Sequence, residues 1–518
     1  MKRLLAMVLT LMLLIGALCS FPVLGQAEEP IEITWMCHLD LATNKSWTAT
    51  ELPKLLAKYG FNVKFTMIEM GTHDGTEYYN NLRTRIAAGD APADIMQFDR
   101  VITEAVDAGW YAPITLEMIQ ENMPQYLEAA LNIYPNMPAY FKDLRDGTMY
   151  GIASWNMFGP CRHTMVYRKD WLDKLGMAIP ETIDAFEAYL RACRTTDFNG
   201  NGEFDEYGYT SGTNSPFCGF NEVFGAFGVM PMCWYNFDGK ILRPEVTEGA
   251  KKALEVLARW YAEDLIPKGV NTTELRRDGF NQGIRGSYGQ GDGYAPALVK
   301  GGQNYEEFYT AQPEGVMQPA PAFKGPDGHF GTQEWGPRKY FIGFGSHLNK
   351  DPEKLNMIMK MLETIATNEE LFVAAMLGEK GVHWDFTNEG ATSGATKFLP
   401  PYTDFNKRLD EVGVREMSES PFCPVWVPQV YQKYLDPLAI EYASQNPGYF
   451  DMIGNGVTFA SQIEYGADLD NYTKEAFMDI ITGRKPVDFF DEYVTTWYEN
   501  GGQAMTDEAQ SMFDKYFK

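Results

Sequence analysis

The densest run of oxygen-bearing side chains in the sequence has the composition of a cation-binding loop. Counted from Asp197, side-chain oxygens stand at positions 1, 3, 5 and 9, glycine stands at position 6, and position 7 is expected to offer its backbone carbonyl. A hard cation such as Ca²⁺ prefers this donor set, so the spacing predicts a structural calcium ion. The predicted ligands are Asp197, Asn199, Asn201, Glu203, Asp205 and Glu206.

The last position of this loop departs from the EF-hand pattern. An EF-hand carries a bidentate Glu at position 12. This chain has Gly208 there, and Glu206 at position 10 is the nearest substitute. The alternative interpretation is therefore an Asn- and Gly-rich turn whose acidic side chains are merely solvated.

Motifs that would indicate catalysis are missing from the sequence. The six histidines form no His-Glu-x-x-His pair, and neither Gly-x-Ser-x-Gly nor Gly-x-x-x-x-Gly-Lys occurs. The cysteines form no C-x-x-C pair, and only Cys218 and Cys233 are close enough in sequence to suggest a local disulfide. The sequence predicts no enzyme. An exported glycoside hydrolase stays open as the alternative, because a catalytic carboxylate pair is defined by its separation in space.

Aromatic residues make up 14% of the chain, with 11 Trp and 29 Tyr, and many tryptophans stand beside Gly, Pro or Asn. A flat ring matches the apolar face of a pyranose, while neighbouring Asp, Asn and Arg side chains can hydrogen-bond the hydroxyls in a shielded cleft. For any single Trp, packing in a core is the alternative. The set as a whole favours carbohydrate binding.

The charge balance argues against other partners. The chain has 44 Lys and Arg against 70 Asp and Glu, a net charge of −26. Such a surface repels the phosphates of nucleic acids and of anionic membranes. The length of 518 residues, of which 45% are hydrophobic and 22% charged, predicts a globular chain of two to four domains.

Residues 1–27 have the organisation of a secretory signal peptide, with an uncleaved membrane anchor as the alternative. Lys2 and Arg3 precede an apolar run and a small-residue exit. The mature chain is therefore expected at the cell surface or in the periplasm. Cys19 lies where a bacterial lipoprotein carries its lipid, although the bulky Leu18 before it does not suit such a signal.

Apolar periodicity predicts an α/β architecture. Strands with alternating apolar residues are separated by helices, and this order predicts a parallel sheet covered on both faces. The part after about residue 397 is predicted to be mostly helical. Strands are predicted at 31–35, 61–65, 94–98 and 340–344, and helices at 52–60, 78–88, 250–265, 352–367, 472–482 and 506–517.

Four stretches in this order resemble the extracellular solute-binding proteins of carbohydrate ABC importers, the family that includes maltose- and alginate-oligosaccharide-binding proteins. They are AGDAPADI at 88–95, YGIA at 150–153, MVYRKDWLDKLG at 165–176, and GPDG at 325–328, which leads into the strand 340–344. The cation loop resembles the structural calcium site of the alginate-oligosaccharide binders, in which the last two ligands also fall at adjacent positions.

The resemblance implies a two-lobe periplasmic-binding fold of type II. Each lobe would be a mostly parallel sheet flanked by helices, and three connections would join the lobes, one near Gly151 and another at 319–323. The implied bounds are 28–152 plus 323–372 for the first lobe and 153–322 plus 373–518 for the second.

By the same analogy, the ligand lies in the cleft between the lobes. Asp99 and Arg100 follow the strand 94–98, at the edge where open α/β sheets bind ligands, as an Asp-Arg pair does in the maltose binder. Trp155 and Asn156 follow the first connection. The predicted ligand-binding residues are Asp99, Arg100, Trp155, Asn156, Trp335, Arg338 and Trp384.

The function implied by the resemblance is capture without chemistry. A monomeric protein would close over a carbohydrate, most simply an oligosaccharide, and ABC permease subunits in the membrane would receive it. Besides the hydrolase, the alternative is an accessory protein that passes the closed state to a membrane kinase.

Overall fold

A computed structural model describes most of the chain. The described residues are 29–37, 44–68, 70, 77–98, 102–135, 137–143, 145–159, 161–209, 220–269, 276–289, 292–334, 339–415, 420–451, 453 and 459–517. The predicted signal peptide with Cys19, the predicted ligand-binding residues Asp99, Arg100, Trp335 and Arg338, and Cys218 of the suggested disulfide lie outside these ranges. Within them, no helix is long and apolar enough to cross a membrane.

The strands of the described ranges are short and distributed along the whole chain. In chain order they are β1 (Ile31–Cys37), β2 (Val63–Ile68), β3 (Ile95–Phe98), β4 (Gly151–Ser154), β5 (Met165–Arg168), β6 (Tyr235–Phe237), β7 (Lys240–Leu242), β8 (Ser287–Tyr288), β9 (Met317–Ala320), β10 (Thr332–Glu334), β11 (Tyr340–Phe344), β12 (Trp384–Phe386), β13 (Thr396–Phe398) and β14 (Gly448–Phe450).

Helices cover the sheets and form most of the carboxyl-terminal part. The α-helices are α1 (Trp47–Ala57), α2 (Glu77–Ala88), α3 (Thr103–Asp107), α4 (Leu116–Asn122), α5 (Pro124–Ile133), α6 (Lys169–Leu175), α7 (Ile183–Cys193), α8 (Asn221–Ala226), α9 (Glu248–Ala262), α10 (Arg276–Asn281), α11 (Gln303–Ala311), α12 (Pro352–Thr367), α13 (Glu369–Met376), α14 (Phe405–Lys407), α15 (Pro428–Tyr431), α16 (Pro437–Ala443), α17 (Ala460–Ile481), α18 (Phe489–Trp497) and α19 (Gln503–Tyr516). Arg408–Val412 is a π-helical turn, and Tyr498–Gly502 is a kink between α18 and α19 at which Asn500 and Gly501 leave helical geometry. The 3₁₀ segments are Met137–Phe141, Pro244–Val246, Ala295–Leu298, Ser346–Lys350 and Gln432–Tyr434.

The first sheet has the strand order β2-β1-β3-β11-β4. β1 pairs in parallel with β2 and β3, whereas β11 runs antiparallel to both β3 and β4. The predicted strand at 340–344 and the predicted helix at 352–367 are confirmed with the expected bounds. Apolar alternation and helical spacing therefore located the main elements of this sheet correctly.

The second sheet differs from the mostly parallel arrangement expected for each lobe. Its order is β8-β5-β9, and both described pairings are antiparallel. β5 carries the chain away from the first sheet and β9 carries it back, so two strands of opposite direction pair side by side. Helices α7, α9, α17 and α18 supply nearly half of the apolar residues of the core around this sheet.

Two large hydrophobic cores correspond to the two sheets. The first contains residues from 33–157 and 340–435, and the second contains Tyr140 and residues from 165–323 and 453–517. Trp384, Phe422 and Trp426 are buried in the first core, although the resemblance implied that residues after 372 join the second lobe. The lobe bounds stay a prediction, and this packing favours assigning 373–435 to the first lobe.

Candidate functional site: an interlobe cleft and a cation loop

Three chain segments connect the two cores. The first, 155–164, leads from β4 to β5, and the second, 321–339, leads from β9 back to β11. The third, 436–452, leads from Leu435 of the first core to Ile453 of the second. Two rigid bodies joined in this way can move relative to each other only by bending at these connections.

Side chains from the third connection tie all three segments together. Thr164 Oγ1 lies 2.6 Å from the carbonyl oxygen of Ala320 and 2.8 Å from Oε1 of Gln445. Asn446 Oδ1 accepts a hydrogen bond from the Ala322 amide at 2.8 Å, and its Nδ2 donates to the carbonyl of His163 at 3.2 Å. We call these six residues the connection cluster.

Sequence reasoning missed Gln445 and Asn446. The available indication was the polar run Ser444 to Pro447, because an Asn-Pro pair after a helix is typical of a turn. That pattern does not predict that Gln445 contacts Thr164, which lies 281 residues earlier in the chain. The pairing depends on the tertiary fold alone.

The carboxyl ends of four strands lie at one edge of the first sheet. β1, β2 and β3 are parallel and end at Cys37, Ile68 and Phe98, and β4 shares their direction because β11 is antiparallel to both β3 and β4. Open α/β sheets bind their ligands at this edge. Asp99 and Arg100 directly follow Phe98 in the sequence, and their role in binding stays a prediction.

Trp155 and Asn156 follow β4 at the same edge and are buried. The Trp155 ring, 1% exposed, stacks on Tyr126 with centroids 5.9 Å apart, and its Nε1 donates to Tyr431 Oη at 3.4 Å. Asn156 Oδ1 accepts from the Phe158 amide at 2.9 Å, whereas its buried Nδ2 has no acceptor among the described residues. Asn156 therefore keeps a donor for a further partner.

Trp384 lies apart from the connection cluster. Its indole Nε1 donates to the Gly378 carbonyl at 3.2 Å, and it lines a cavity of about 570 Å³ together with Trp47, Phe386 and Tyr434. This cavity lies beside α1 and α13 of the first core. The structure thus does not bring Trp384 together with Trp155, and its predicted part in ligand binding stays untested.

A hydrogen bond between Tyr134 and Glu334 bridges the two halves of the molecule. Tyr134 ends α5 and packs against the first core, while Glu334 lies on β10, which pairs with β14 beside α8 of the second. Tyr134 Oη donates to Glu334 Oε1 at 2.6 Å. Burial raises the pKa of Glu334, and the hydrogen bond from Tyr134 only partly offsets this.

The cation loop is organised by its own backbone amides. Asp197 accepts from the amides of Gly200 at 2.6 Å and Gly202 at 2.9 Å, and both glycines have positive φ, +74° and +86°. Asn199 Oδ1 accepts from the Asn201 amide at 2.9 Å. These hydrogen bonds fix two consecutive tight turns in a loop whose residues 199–205 are exposed.

Glu206 closes the loop from a fully buried position. Its Oε1 accepts from the amides of Phe198 at 2.7 Å and Asn199 at 3.0 Å. Its Oε2 is also buried, and no described residue donates a hydrogen bond to it. A buried carboxylate oxygen without a donor is costly, and a cation bound in the loop would compensate it.

The remaining loop ligands are of mixed type. Asp205 is contacted by the amide nitrogens of Asn199 and Asn201 at 3.3 Å. In the described part of the chain, no group of three or more His, Cys, Asp or Glu side chains has the arrangement of a metal site. This includes the four carboxylates of the loop, Asp197, Glu203, Asp205 and Glu206, which do not converge as a preformed metal site. The mixture of carboxylates with amide oxygens is nevertheless the donor type that Ca²⁺ prefers.

Two cores, three connections and a sheet edge facing the junction define a two-lobe ligand-binding protein. The family of bacterial extracellular solute-binding proteins matches residues 50–338, which is more than half of the chain. The chain belongs to this family.

Two curated relatives cover most of the chain. It is 22% identical over 392 residues to the polygalacturonan/rhamnogalacturonan-binding protein YtcQ of Bacillus subtilis, covering 73% of this chain and 74% of that protein. It is 23% identical over 478 residues to lipoprotein LipO of the same organism, covering 89% and 88%.

Solved structures share the fold. A solute-binding protein associated with a human-milk-oligosaccharide-binding ABC transporter of Bifidobacterium longum infantis gives a TM-score of 0.68 at 17% identity, covering 95% of this chain and 100% of that one. Alginate-binding protein AlgQ2 without calcium ion gives 0.61 at 19% identity, covering 94% and 98%. An EF-hand mutant of FusA from Streptococcus pneumoniae, in complex with fructo-nystose, gives 0.61 at 17%, covering 94% and 99%. The two-lobe α/β fold of solute-binding proteins is thus the fold of this chain.

Proposed function

We propose that the protein captures an oligosaccharide between its two lobes and delivers it to the membrane subunits of an ABC importer. The observation that carries this proposal is the connection cluster, which gives the lobes a common point about which to close. The names of relatives support the ligand class, since YtcQ is a polygalacturonan-binding protein and FusA is a fructooligosaccharide ABC transporter substrate-binding protein.

Closure must be stabilised by contacts that form only when both lobes touch the ligand. Converting a 1:99 mixture of closed and open forms into 99:1 needs about 5.5 kcal/mol of such contacts. We assign this task to Asp99, Arg100, Trp335 and Arg338, with the free donor of Asn156 as a further contact. The Tyr134 to Glu334 hydrogen bond is the protein's own contribution across the cleft.

A ligand panel tests the proposal on the mature chain. Kestose, a galacturonan oligosaccharide and a human milk oligosaccharide are each added, and thermal unfolding and small-angle scattering are recorded. At least one sugar is expected to raise Tm by mass action and to lower the radius of gyration. If none of these or other glycans changes either quantity, the proposed function is wrong.

Variants then locate the cleft. Arg100→Ala and Trp335→Ala are expected to weaken binding of the active sugar by about 10- to 100-fold, since each removes a charged or stacking contact. Arg83→Ala is the matched control, because Arg83 is exposed on α2 and pairs with Glu104. Equal affinity in Arg100→Ala, Trp335→Ala and the control would show that the cleft residues lie elsewhere.

We further propose that the sugar is released unaltered. Family members and structural neighbours are named as binding proteins. Chromatography of the sugar after prolonged incubation with the protein is expected to return a single intact species. Accumulating fragments would favour the hydrolase instead.

The cation loop is proposed to hold one structural Ca²⁺ through Asp197, Asn199, Asn201, Asp205, Glu206 and the carbonyl of Glu203. The ion would neutralise the orphaned Oε2 of Glu206 and fix the segment after α7. Phe198 in this loop stacks on Trp171 of α6 with centroids 4.0 Å apart, so ordering of the loop stabilises the packing of the second lobe. The predicted ion takes no part in the cleft.

Export is proposed from the sequence of residues 1–27. Mass spectrometry of the protein isolated from its own cells is expected to find a mature chain that begins near residue 28. A chain that begins at a lipid-modified Cys19 would replace this proposal with a lipoprotein anchor.

A further inference from the structure

A groove lies between α17 and the kinked segment Tyr498–Gly502, which joins α18 to α19. It has a volume of about 700 Å³, within the range of small-molecule sites. Tyr465, Asp468 and Tyr472 line one side, and their spacing of three and four residues places them on one face of α17. Tyr498 and Glu499 line the other side.

The kink between α18 and α19 shapes this groove. Asn500 and Gly501 leave helical geometry, and Gly501 has a φ of +113°. A Cβ at Gly501 would lie 2.3 Å from Cγ of Tyr465, so only glycine lets the Tyr465 ring lie against the backbone there.

Neighbouring aromatic residues hold the tyrosine rings of the groove in place. Tyr472 packs against Tyr493 with centroids 5.4 Å apart, and Tyr498 packs edge-on against Trp497 at 5.2 Å. Tyr465, Tyr472 and Tyr498 are each only partly exposed. A ligand that enters the groove therefore meets ordered rings rather than mobile side chains.

The charges that line the groove are of one sign. Asp468 and Glu499 are exposed, and the described residues that line the groove include no Lys, Arg or His. Tyrosine faces attract cations through their quadrupoles, and nearby carboxylates add to that attraction. A neutral sugar would gain from the rings but not from this charge.

We propose that this groove binds a small organic ammonium ion, with a quaternary ammonium group as the best fit. Aromatic residues recognise such ions because the methyl groups contact the rings while the charge needs no hydrogen bond. The groove belongs to the carboxyl-terminal helices and is independent of the proposed sugar cleft. Binding of the ammonium ion and of the sugar can therefore be tested separately.

Choline and its neutral isostere 3,3-dimethylbutan-1-ol test the proposal. The full mature chain is titrated with each compound in calcium-containing buffer, and binding is followed by NMR or calorimetry. Choline is expected to bind with a Kd about tenfold lower than that of the isostere, because only its positive charge distinguishes them. Equal affinities, or no binding of choline, would overturn the proposal.

Two variants attribute the binding to the groove. Glu499→Gln removes an exposed charge with no expected effect on folding, and it should raise the Kd for choline several-fold. Glu128→Gln, at an exposed position on α5 of the first core, is the matched control and should leave the Kd unchanged. Tyr472→Leu should abolish choline binding and leave the circular dichroism spectrum unchanged.

Other outcomes are equally decisive. If choline binds but Glu499→Gln and Tyr472→Leu bind it as the control does, the ion binds elsewhere and the inference is wrong. If a neutral sugar displaces choline, the groove is a sugar site. Failure of any sugar to close the lobes would refute the proposed function and leave the ammonium site standing.

Discussion

Two buried carboxylates, one in each lobe, have opposite surroundings. Asp94 lies before β3 of the first lobe, and both of its oxygens are occupied. Oδ2 accepts from the amide and hydroxyl of Thr34, each at 2.8 Å, and Oδ1 pairs with Lys354 Nζ at 2.8 Å and His347 Nε2 at 2.9 Å. Glu206 of the second lobe has only one of its two oxygens satisfied by the described residues.

This difference indicates that Asp94 is a structural carboxylate, whereas Glu206 is a candidate ligand for a cation. Burial by itself would raise the pKa of Asp94, but hydrogen bonds from Lys354, Thr34 and His347 outweigh it and lower the pKa. Asp94 joins β1, β3 and α12 without any added ion. In the proposed calcium site, a bound cation would satisfy the second oxygen of Glu206. We therefore expect Asp94 and Glu206 to respond differently to substitution and to calcium removal.

The largest effect is expected from Asp94→Asn. The substitution leaves the Lys354 ammonium without its carboxylate, and we expect a loss of about 3 kcal/mol in the free energy of unfolding of the first lobe. Urea unfolding followed by tryptophan fluorescence measures it. Asp90→Asn, which affects only an exposed pair with Arg85, is the control and should cost less than about 0.5 kcal/mol. Equal losses of stability in Asp94→Asn and Asp90→Asn would show that Asp94 is not a structural carboxylate of the first lobe.

Calcium removal should have the next largest effect, and it should spare the first lobe. At a calcium concentration one hundred times the Kd, the ion stabilises the native state by about 2.7 kcal/mol. A calcium-specific chelator is therefore expected to lower Tm in wild type and in Asp94→Asn alike. A chelator that leaves Tm unchanged in calcium-loaded wild type contradicts the calcium site.

Exchanging single carboxylates in the loop sharpens this test. Glu206→Gln should reduce calcium affinity by at least tenfold and remove most of the chelator response, because the amide cannot neutralise the ion. Glu203→Gln is the matched control, because residue 203 is predicted to bind through its backbone carbonyl. Isothermal titration with CaCl₂ measures both. Similar losses in both variants would mean that Glu203 binds through its side chain.

The smallest effect concerns pH. The folded-state pKa of Asp94 is depressed, so its contribution is fully present above the unfolded pKa of about 3.9 and is lost as pH falls through the folded value. The stability gap between wild type and Asp94→Asn should therefore narrow below about pH 4, by about 1.4 kcal/mol for each unit of depression. Unfolding measured from pH 6 to pH 3 checks this, and a gap that widens on acidification is the contrary result.

How well the sequence predicted the structure differed between the two lobes. In the first, alternating strands and glycine-terminated helices were found where expected, including positive-φ glycines at Gly60 and Gly89 that end α1 and α2. In the second, the antiparallel sheet was not expected, because β5 pairs with β9 some 150 residues away. Local spacing carries no information about such partners.

The candidate sites were predictable to different degrees for the same reason. Ten consecutive residues carry every ligand proposed for the cation loop, so its spacing could be found by inspection. The connection cluster joins Thr164, Ala320 and Gln445 from three distant segments, and no pattern in any one of them indicates the others. Trp155 and Trp384 were both predicted as ligand-binding residues from their loop context. Both are buried at separate places in the first core, which local sequence could not indicate.

The sequence by itself determined the order of the main strands and helices, and it predicted export and the oxygen ligands of the loop, because each depends on residues within one or two turns of chain. Only the tertiary structure decided that Asp94 is fully paired and that one oxygen of Glu206 is not. Burial and hydrogen-bond partners are set by segments that pack together from far apart, and the free energy of a buried charge depends on those partners rather than on its neighbours in sequence.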